Sequence, residues 1–154
     1  MIASMKKSDA LFRLIKSLNK NEKRYFSLFA TRHTIGEKNN YLRLFECIER
    51  QKEYDEKEAL ALYPSAQAKR KLKLSKQYLY QLILKGMFFY RSNETVEMQL
   101  RKMIGDIEFL FEKGLYREAE KTIVKAKLLA EKHESYPLLL SILKWEINLM
   151  GVGS

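Results

Sequence analysis

Residues 100–133 read LRKMIGDIEFLFEKGLYREAEKTIVKAKLLAEKH, and the reading of this stretch decides the fold. In its first half Leu100, Met103, Ile104, Ile107, Leu110 and Phe111 recur at the three- and four-residue steps that place side chains on one face of an α-helix. Gly114 follows where helices commonly close on a left-handed residue, a conformation glycine adopts without steric penalty. Beyond it Ala119, Ile123, Ala126 and Ala130 resume helical spacing, now as a seam of mostly small residues. Small side chains let helix backbones approach closely. Two such helices, over about 94–113 and 116–133, joined by so short a turn, are predicted to pack as an antiparallel pair.

The same periodicity extends in both directions. Pro137 opens a further helix that runs to about Met150, because proline is tolerated in the first helical turn, where its missing N–H is not needed. Its apolar residues include Leu139, Leu143 and Trp145. Upstream, a long helix is predicted over about 66–92, with Leu72, Leu79, Leu82, Ile83, Gly86 and Tyr90 on one face. Tyr78, Met87, Phe88 and Phe89 broaden that face until the C-terminal half is apolar nearly all round, which predicts a central element buried on several sides. Ser92 and Asn93 break it, and either can cap the helix that follows. A short helix over 56–63 starts at a capping box of Asp55 and Glu58 and stops at Pro64, after which Ser65 can cap the long helix. Three more helices precede these. One spans about 8–18 through Leu11, Leu14, Ile15 and Leu18. The next spans 20–32 behind a box of Asn19 and Glu22. The third spans 39–52 through Tyr41, Leu44, Phe45 and Ile48, after a turn at 34–38.

Composition agrees with an all-α class. Apolar residues make up 46% of the 154, enough for a core, whereas six glycines and two prolines are too few for the turns of a sandwich or barrel. No stretch alternates long enough to predict a strand. The chain divides into a basic N-terminal helical region, 1–93, of about five helices, and a segment 94–154 that holds the helix pair and one further helix. The net charge is +10, unevenly placed: residues 64–93 hold seven cations and no carboxylate, and 94–154 are close to neutral. Cys47 is the only cysteine, so no intramolecular disulfide forms, which fits a reducing compartment. Lys6, Lys7, Asp9 and Arg13 interrupt any apolar signal core, and no apolar run approaches a membrane span. A cytoplasmic protein without membrane contact is the expectation.

Gly114 and Tyr116 in the turn, Ala119 and Ala126 at small positions, Ile123 between them and Lys125 before the second alanine together resemble a tetratricopeptide repeat. The match is divergent. Met103 stands where the family carries a large aromatic residue, Ile107 where it carries a small one, and Glu131 near the usual proline. The resemblance implies about eight helices in antiparallel pairs stacked as an α-α superhelix. It implies a protein-binding scaffold and no enzyme. In that family the first helix of each pair lines the groove, which would make Gln99, Lys102 and Asp106 contacts. Gly151, thirty-seven residues after Gly114, and the helix before it resemble the first half of another repeat, as in the N-terminal part of a longer array. Residues 1–93 resemble the N-terminal helical region of bacterial proteins of this repeat class. An apolar last helix without a partner is expected to self-associate through Trp145 and Leu149.

The cluster Lys69, Arg70, Lys71, Lys73 and Lys76 stands near a helix N-terminus, where the helix dipole favours anions. It is either a solvated face, or neutralised by Glu56 and Glu58, or a docking surface for an acidic protein or for phosphates. A nucleic-acid-binding alternative reads the short helix, the break at Pro64-Ser65 and the basic helix 66–91 as a winged-helix or helix-turn-helix motif, with Tyr78 and Tyr80 stacking on bases. No segment predicts its β-hairpin wing. No cofactor, metal-ligand set or catalytic constellation is predicted. His33 and His133 lie far apart, each near a helix end, and Glu46 and Glu49 beside Cys47 are expected to raise its thiol pKa. Met87, Met98, Met103 and Met150 read as core filler or as an adaptable groove.

Overall fold

The computed structural model describes residues 9–33 and 40–153. Among these there are eight α-helices and no strand: α1 Asp9–Ser17, α2 Lys20–His33, α3 Asn40–Arg50, α4 Glu56–Leu60, α5 Ala68–Arg91, α6 Val96–Glu112, α7 Tyr116–Lys132 and α8 Tyr136–Val152. The fold is all-α, as the periodicity predicts. The turn expected at 34–38 and the first residue of the helix expected from 8 lie outside the described residues. The chain forms two compact units, Met1–Tyr90 and Arg91–Ser154.

In the first unit α1 to α5 share one core. Leu11 and Ile15 of α1, Phe26 and Phe29 of α2, Leu44, Phe45 and Ile48 of α3 and Leu72, Leu79 and Ile83 of α5 are buried together. Phe26 and Phe45 meet at 4.8 Å between ring centroids, within the range of favourable tilted pairs. Gly86 lets α5 come close to α2, since a β-carbon there would lie 3.1 Å from the Phe29 ring. The capping box at Asn19 forms in full: the Glu22 carboxylate accepts from the Asn19 N–H at 2.8 Å and the Asn19 side chain accepts from the Glu22 N–H at 2.9 Å.

Three local expectations are corrected. The Asp55 box forms only in half. Asp55 caps the Lys57 N–H at 2.9 Å, but its own N–H goes to Gln51 and not to Glu58, because the buried Gln51 side chain already occupies that space. α4 ends at Leu60, since Pro64 disfavours helical backbone at Tyr63 and the chain leaves through two tight turns, from Leu62 N–H to Ala59 C=O and from Tyr63 N–H to Leu60 C=O. The C-terminal half of α5 is not buried all round. Leu79, Leu82, Ile83 and Gly86 face the core, whereas Leu84, Phe88 and Phe89 remain exposed, because α1 to α4 cover one side of it only.

The second unit is a three-helix packing of α6, α7 and α8. Leu100 and Ile107 of α6, Ile123, Ala126 and Ala130 of α7 and Ile142 of α8 form its buried centre. α7 follows α6 across a turn of three residues, so the two run antiparallel, and α8 packs against both. That packing is consistent with a helical-repeat arrangement. The cap of α6 is Thr95, whose hydroxyl accepts from the Met98 N–H at 3.2 Å, rather than Ser92 or Asn93. Ser92 is buried, and the Asn93 carbonyl accepts from Gln99.

Candidate functional sites

The turn at Gly114 is built by backbone hydrogen bonds. With φ at 72°, Gly114 donates to the Phe111 carbonyl at 2.9 Å and Leu115 donates to the Leu110 carbonyl at 2.9 Å. This is the six-to-one and five-to-two pattern that satisfies a helix C-terminus. The same pattern recurs after α7. Glu134, at φ 53°, donates to Glu131 at 3.2 Å, and Ser135 donates to Ala130 at 2.9 Å. The residues that lead into α7 and α8, Leu115 and Ser135, also share one backbone conformation, φ −85° and ψ 63° against φ −81° and ψ 62°. Gly151 does not repeat the turn: it stays inside α8, which runs on to Val152, so the spacing from Gly114 to Gly151 is not a repeat of turns. Sequence reading missed Glu134, because a glutamate carries no signal for a left-handed residue.

The repeat-packing residues predicted from the sequence lie at that turn and along α7. Ala119 and Ala126 are fully buried and Ile123 almost so, while Tyr116 opens α7 partly in solvent, its ring edge-on to Phe111 with 5.4 Å between centroids. Across the next interface Lys127 of α7 donates to both carboxylate oxygens of Glu146 on α8 at 3.0 Å. Phe111 and Trp145 meet at 5.4 Å.

α8 carries two apolar stripes. Leu138, Leu139, Ile142, Trp145 and Leu149 pack into the second unit. Trp145 and Leu149 are therefore not the exposed residues that were expected, because this stripe is the one that α6 and α7 cover. A second stripe, Tyr136, Leu140, Leu143, Ile147 and Met150, advances by alternating steps of four and three residues on another face of the helix. Leu140, Ile147 and Met150 are 63%, 65% and 68% exposed, and Val124 and Leu128 of α7 are more than half exposed as well. Val124 and Met150 line one groove with Tyr116, Leu149 and Val152. The signal for the second stripe was present in the sequence, since Lys144 and Glu146 are the only charged residues in α8, but periodicity alone does not say which stripe is covered.

The basic cluster lies on the first turns of α5. Lys69, Arg70, Lys71 and Lys73 are exposed, and none forms an ion pair with a carboxylate among the described residues. The carboxylates expected to neutralise them do not reach them: Glu58 accepts from Gln51 at 3.0 Å, and Glu56 stands exposed in the first turn of α4. Lys76 departs from the cluster, half-buried, with its ammonium donating to the Tyr54 hydroxyl at 2.9 Å. Lys71 and Arg43 line a groove of about 480 Å³ with Asn40, Tyr63, Ser65 and Ser75. Of the two tyrosines offered for stacking, Tyr78 lies 4.4 Å from Tyr41 and Tyr80 is packed against the core of the first unit. Gln99 and Lys102 with Asp106 do not form one surface in the expected way. Gln99 is half-buried and braces the start of α6 through the Asn93 carbonyl at 3.2 Å, and Lys102 and Asp106 neutralise each other at 2.9 Å.

Cys47 is half-buried beside Gln51, whose amide nitrogen lies 3.8 Å from the sulfur. Burial pushes its thiol above the ordinary range, and the carboxylates of Glu58 and Asp55 add to the effect against Arg50. The direction is the expected one, but the carboxylates are not: Glu46 lies 3.8 Å from Arg50 and Glu49 pairs with Lys23 at 3.3 Å. Among the described residues no group of three or more His, Cys, Asp or Glu could hold a metal ion, and no helix is long and apolar enough to cross a membrane. Compared with known proteins, the chain matches no family model, no curated relative and no solved structure.

Proposed function

We propose that this chain is a non-enzymatic protein–protein interaction scaffold of the helical-repeat type, related in plan to tetratricopeptide repeats. The observation that carries the reading is the exposed stripe of α8, whose Met150 shares a groove with Val124, on a helix triplet whose packing is consistent with a repeat. An apolar flank of this extent on a folded unit marks an interaction site more often than idle surface. The two turns of equal shape at Gly114 and Glu134 support the repeat plan. The test is capture from a lysate of the source cell with the wild-type chain and with Leu140→Glu/Ile147→Glu. The reading expects a defined protein that the wild type retains and the variant loses. Equal retention by both, or retention of nothing, ends it.

A second reading takes the exposed cations of α5 as a contact for nucleic acid. What favours it is that Lys69, Arg70, Lys71 and Lys73 have no carboxylate partner among the described residues. Phosphate contacts of this kind weaken steeply as salt rises. The reading expects retention of DNA or RNA at low salt, loss at physiological salt, and loss at every salt concentration in Lys69→Glu/Lys71→Glu/Lys73→Glu.

A further inference from the structure

We infer that the exposed stripe of α8 is a self-docking surface, on which a second copy of this chain lays its own α8 antiparallel about a two-fold axis near Leu143. The inference rests on the scaffold reading above and names the occupant of its flank. Three observations select a second copy.

The first is spacing. Tyr136, Leu140, Leu143, Ile147 and Met150 advance by four, three, four and three residues, the average of 3.5 that keeps one apolar seam facing another helix along its length. The stripe is also symmetric about Leu143 to within one residue. Turned end over end, it sets Leu140 against Ile147 of the other copy and Tyr136 against Met150, large apolar residues against large apolar residues at every level. A two-fold contact requires such self-complementarity, because every contact between a residue and its partner is made twice, once in each direction.

The second is charge. Residues 91–154 hold ten basic and ten acidic groups, so this unit is neutral inside a chain of net charge +10. The stripe itself contains no charge. Glu146 is neutralised by Lys127 within the same unit. Lys144 flanks the stripe, and its long stem lets the ammonium reach water beside a partner helix. Nothing on this face selects a charged partner, and two such faces meet without net repulsion.

The third is area. Val124, Tyr136, Leu140, Ile147 and Met150 are each more than half exposed, and Val124 shares a groove with Met150. At roughly 100 Å² apiece they offer on the order of 500 Å² of apolar surface, toward the upper end for a monomer and the size of a small, weak interface.

The experiment is sedimentation equilibrium of the whole chain from about 1 to 300 μM, with helix content followed by circular dichroism. The expected result is a closed monomer–dimer equilibrium with a dissociation constant on the order of 10 μM. Salt should change it little, because the contact itself is uncharged and the unit that makes it is neutral. Leu140→Glu and Ile147→Lys should each weaken it at least about thirtyfold, as central anchors of small interfaces do. Both positions are exposed, so helix content should not change. The double variant Leu140→Glu/Ile147→Lys should regain the dimer, since the antiparallel register puts each new carboxylate opposite a new ammonium. A chain monomeric up to 300 μM overturns the inference, as does open-ended assembly, a dimer unaffected by the single variants, or a double variant no better than either. A monomer that still captures a protein partner through this stripe would sink the two-fold contact and leave the scaffold reading standing. A dimer that captures nothing would do the reverse.

Discussion

Gln51 holds both backbone polar groups of Asp55: its side-chain carbonyl accepts from the Asp55 N–H at 3.0 Å and its amide donates to the Asp55 carbonyl at 3.0 Å. The side chain is 6% exposed at the end of α3, and its amide also donates to Glu58 at 3.0 Å. One buried glutamine thus fixes the loop from α3 to α4. Replacing it by leucine keeps the volume and leaves Asp55 N–H and C=O without their partner. Gln51→Leu should destabilise the first unit by about 2 kcal/mol, the cost of leaving a buried polar group unmatched. Chemical denaturation followed by circular dichroism measures it. A change below about 0.5 kcal/mol would mean that water replaces the amide without loss.

The matched turns at Gly114 and Glu134 predict opposite responses. A side chain at φ 72° is strained, so Gly114→Ala should cost about 1 kcal/mol. Glu134 already carries that strain at φ 53°, so Glu134→Gly should stabilise the second unit by up to about 1 kcal/mol, less the entropy glycine adds to the unfolded chain. Thermal melting of the two variants beside the wild type decides the matter. Shifts of the same sign would show that the turns are not equivalent.

Ala126 is fully buried where α7 packs in the second unit. Ala126→Leu should overfill that space and cost about 1–3 kcal/mol, although leucine and alanine are both good helix formers. Val124→Leu, two residues away on the exposed side, should be nearly neutral. Urea denaturation separates the two, and equal effects would put the seam in the wrong place.

Cys47 makes the alkaline limb of stability testable. Its thiol is raised in the folded state, so the fold favours the protonated form. That contribution is present below the ordinary thiol range and is lost as pH rises through the raised value. Alkylation by iodoacetamide at pH 8 should be slower than for a free cysteine peptide, because less thiolate is present. Cys47→Ala should flatten the loss of stability above pH 9. Alkylation at or above the peptide rate would contradict the burial-driven shift.

Much of the fold was legible. The stop at Gly114, the start at Pro137 and the apolar steps of α6 and α7 place α6, α7 and α8 within a residue or two of their observed ends, because each boundary coincides with a residue whose backbone preference is strong. Where the boundary depended on competition between side chains, the sequence was silent. Thr95, Ser92 and Asn93 are all able caps, and only packing selects Thr95. Glu58 is a good box residue until a buried Gln51 takes its place. The surfaces were read less well than the core. Apolar residues on both sides of α8 predict a sticky helix but not which side is spent on α6 and α7. Likewise the cations of α5 were visible, while the withdrawal of Lys76 toward Tyr54 was not, since that tie joins α5 to the loop between α3 and α4, twenty-two residues away.

Gly114 and Glu134 stand twenty residues apart and bend the chain in the same way with very different side chains. The bend therefore belongs to the helix ends and not to the residue at the corner. The corner residue is thereby the replaceable part of the connection: an engineer could exchange either one for asparagine, which tolerates the left-handed conformation, without redesigning the helices it joins.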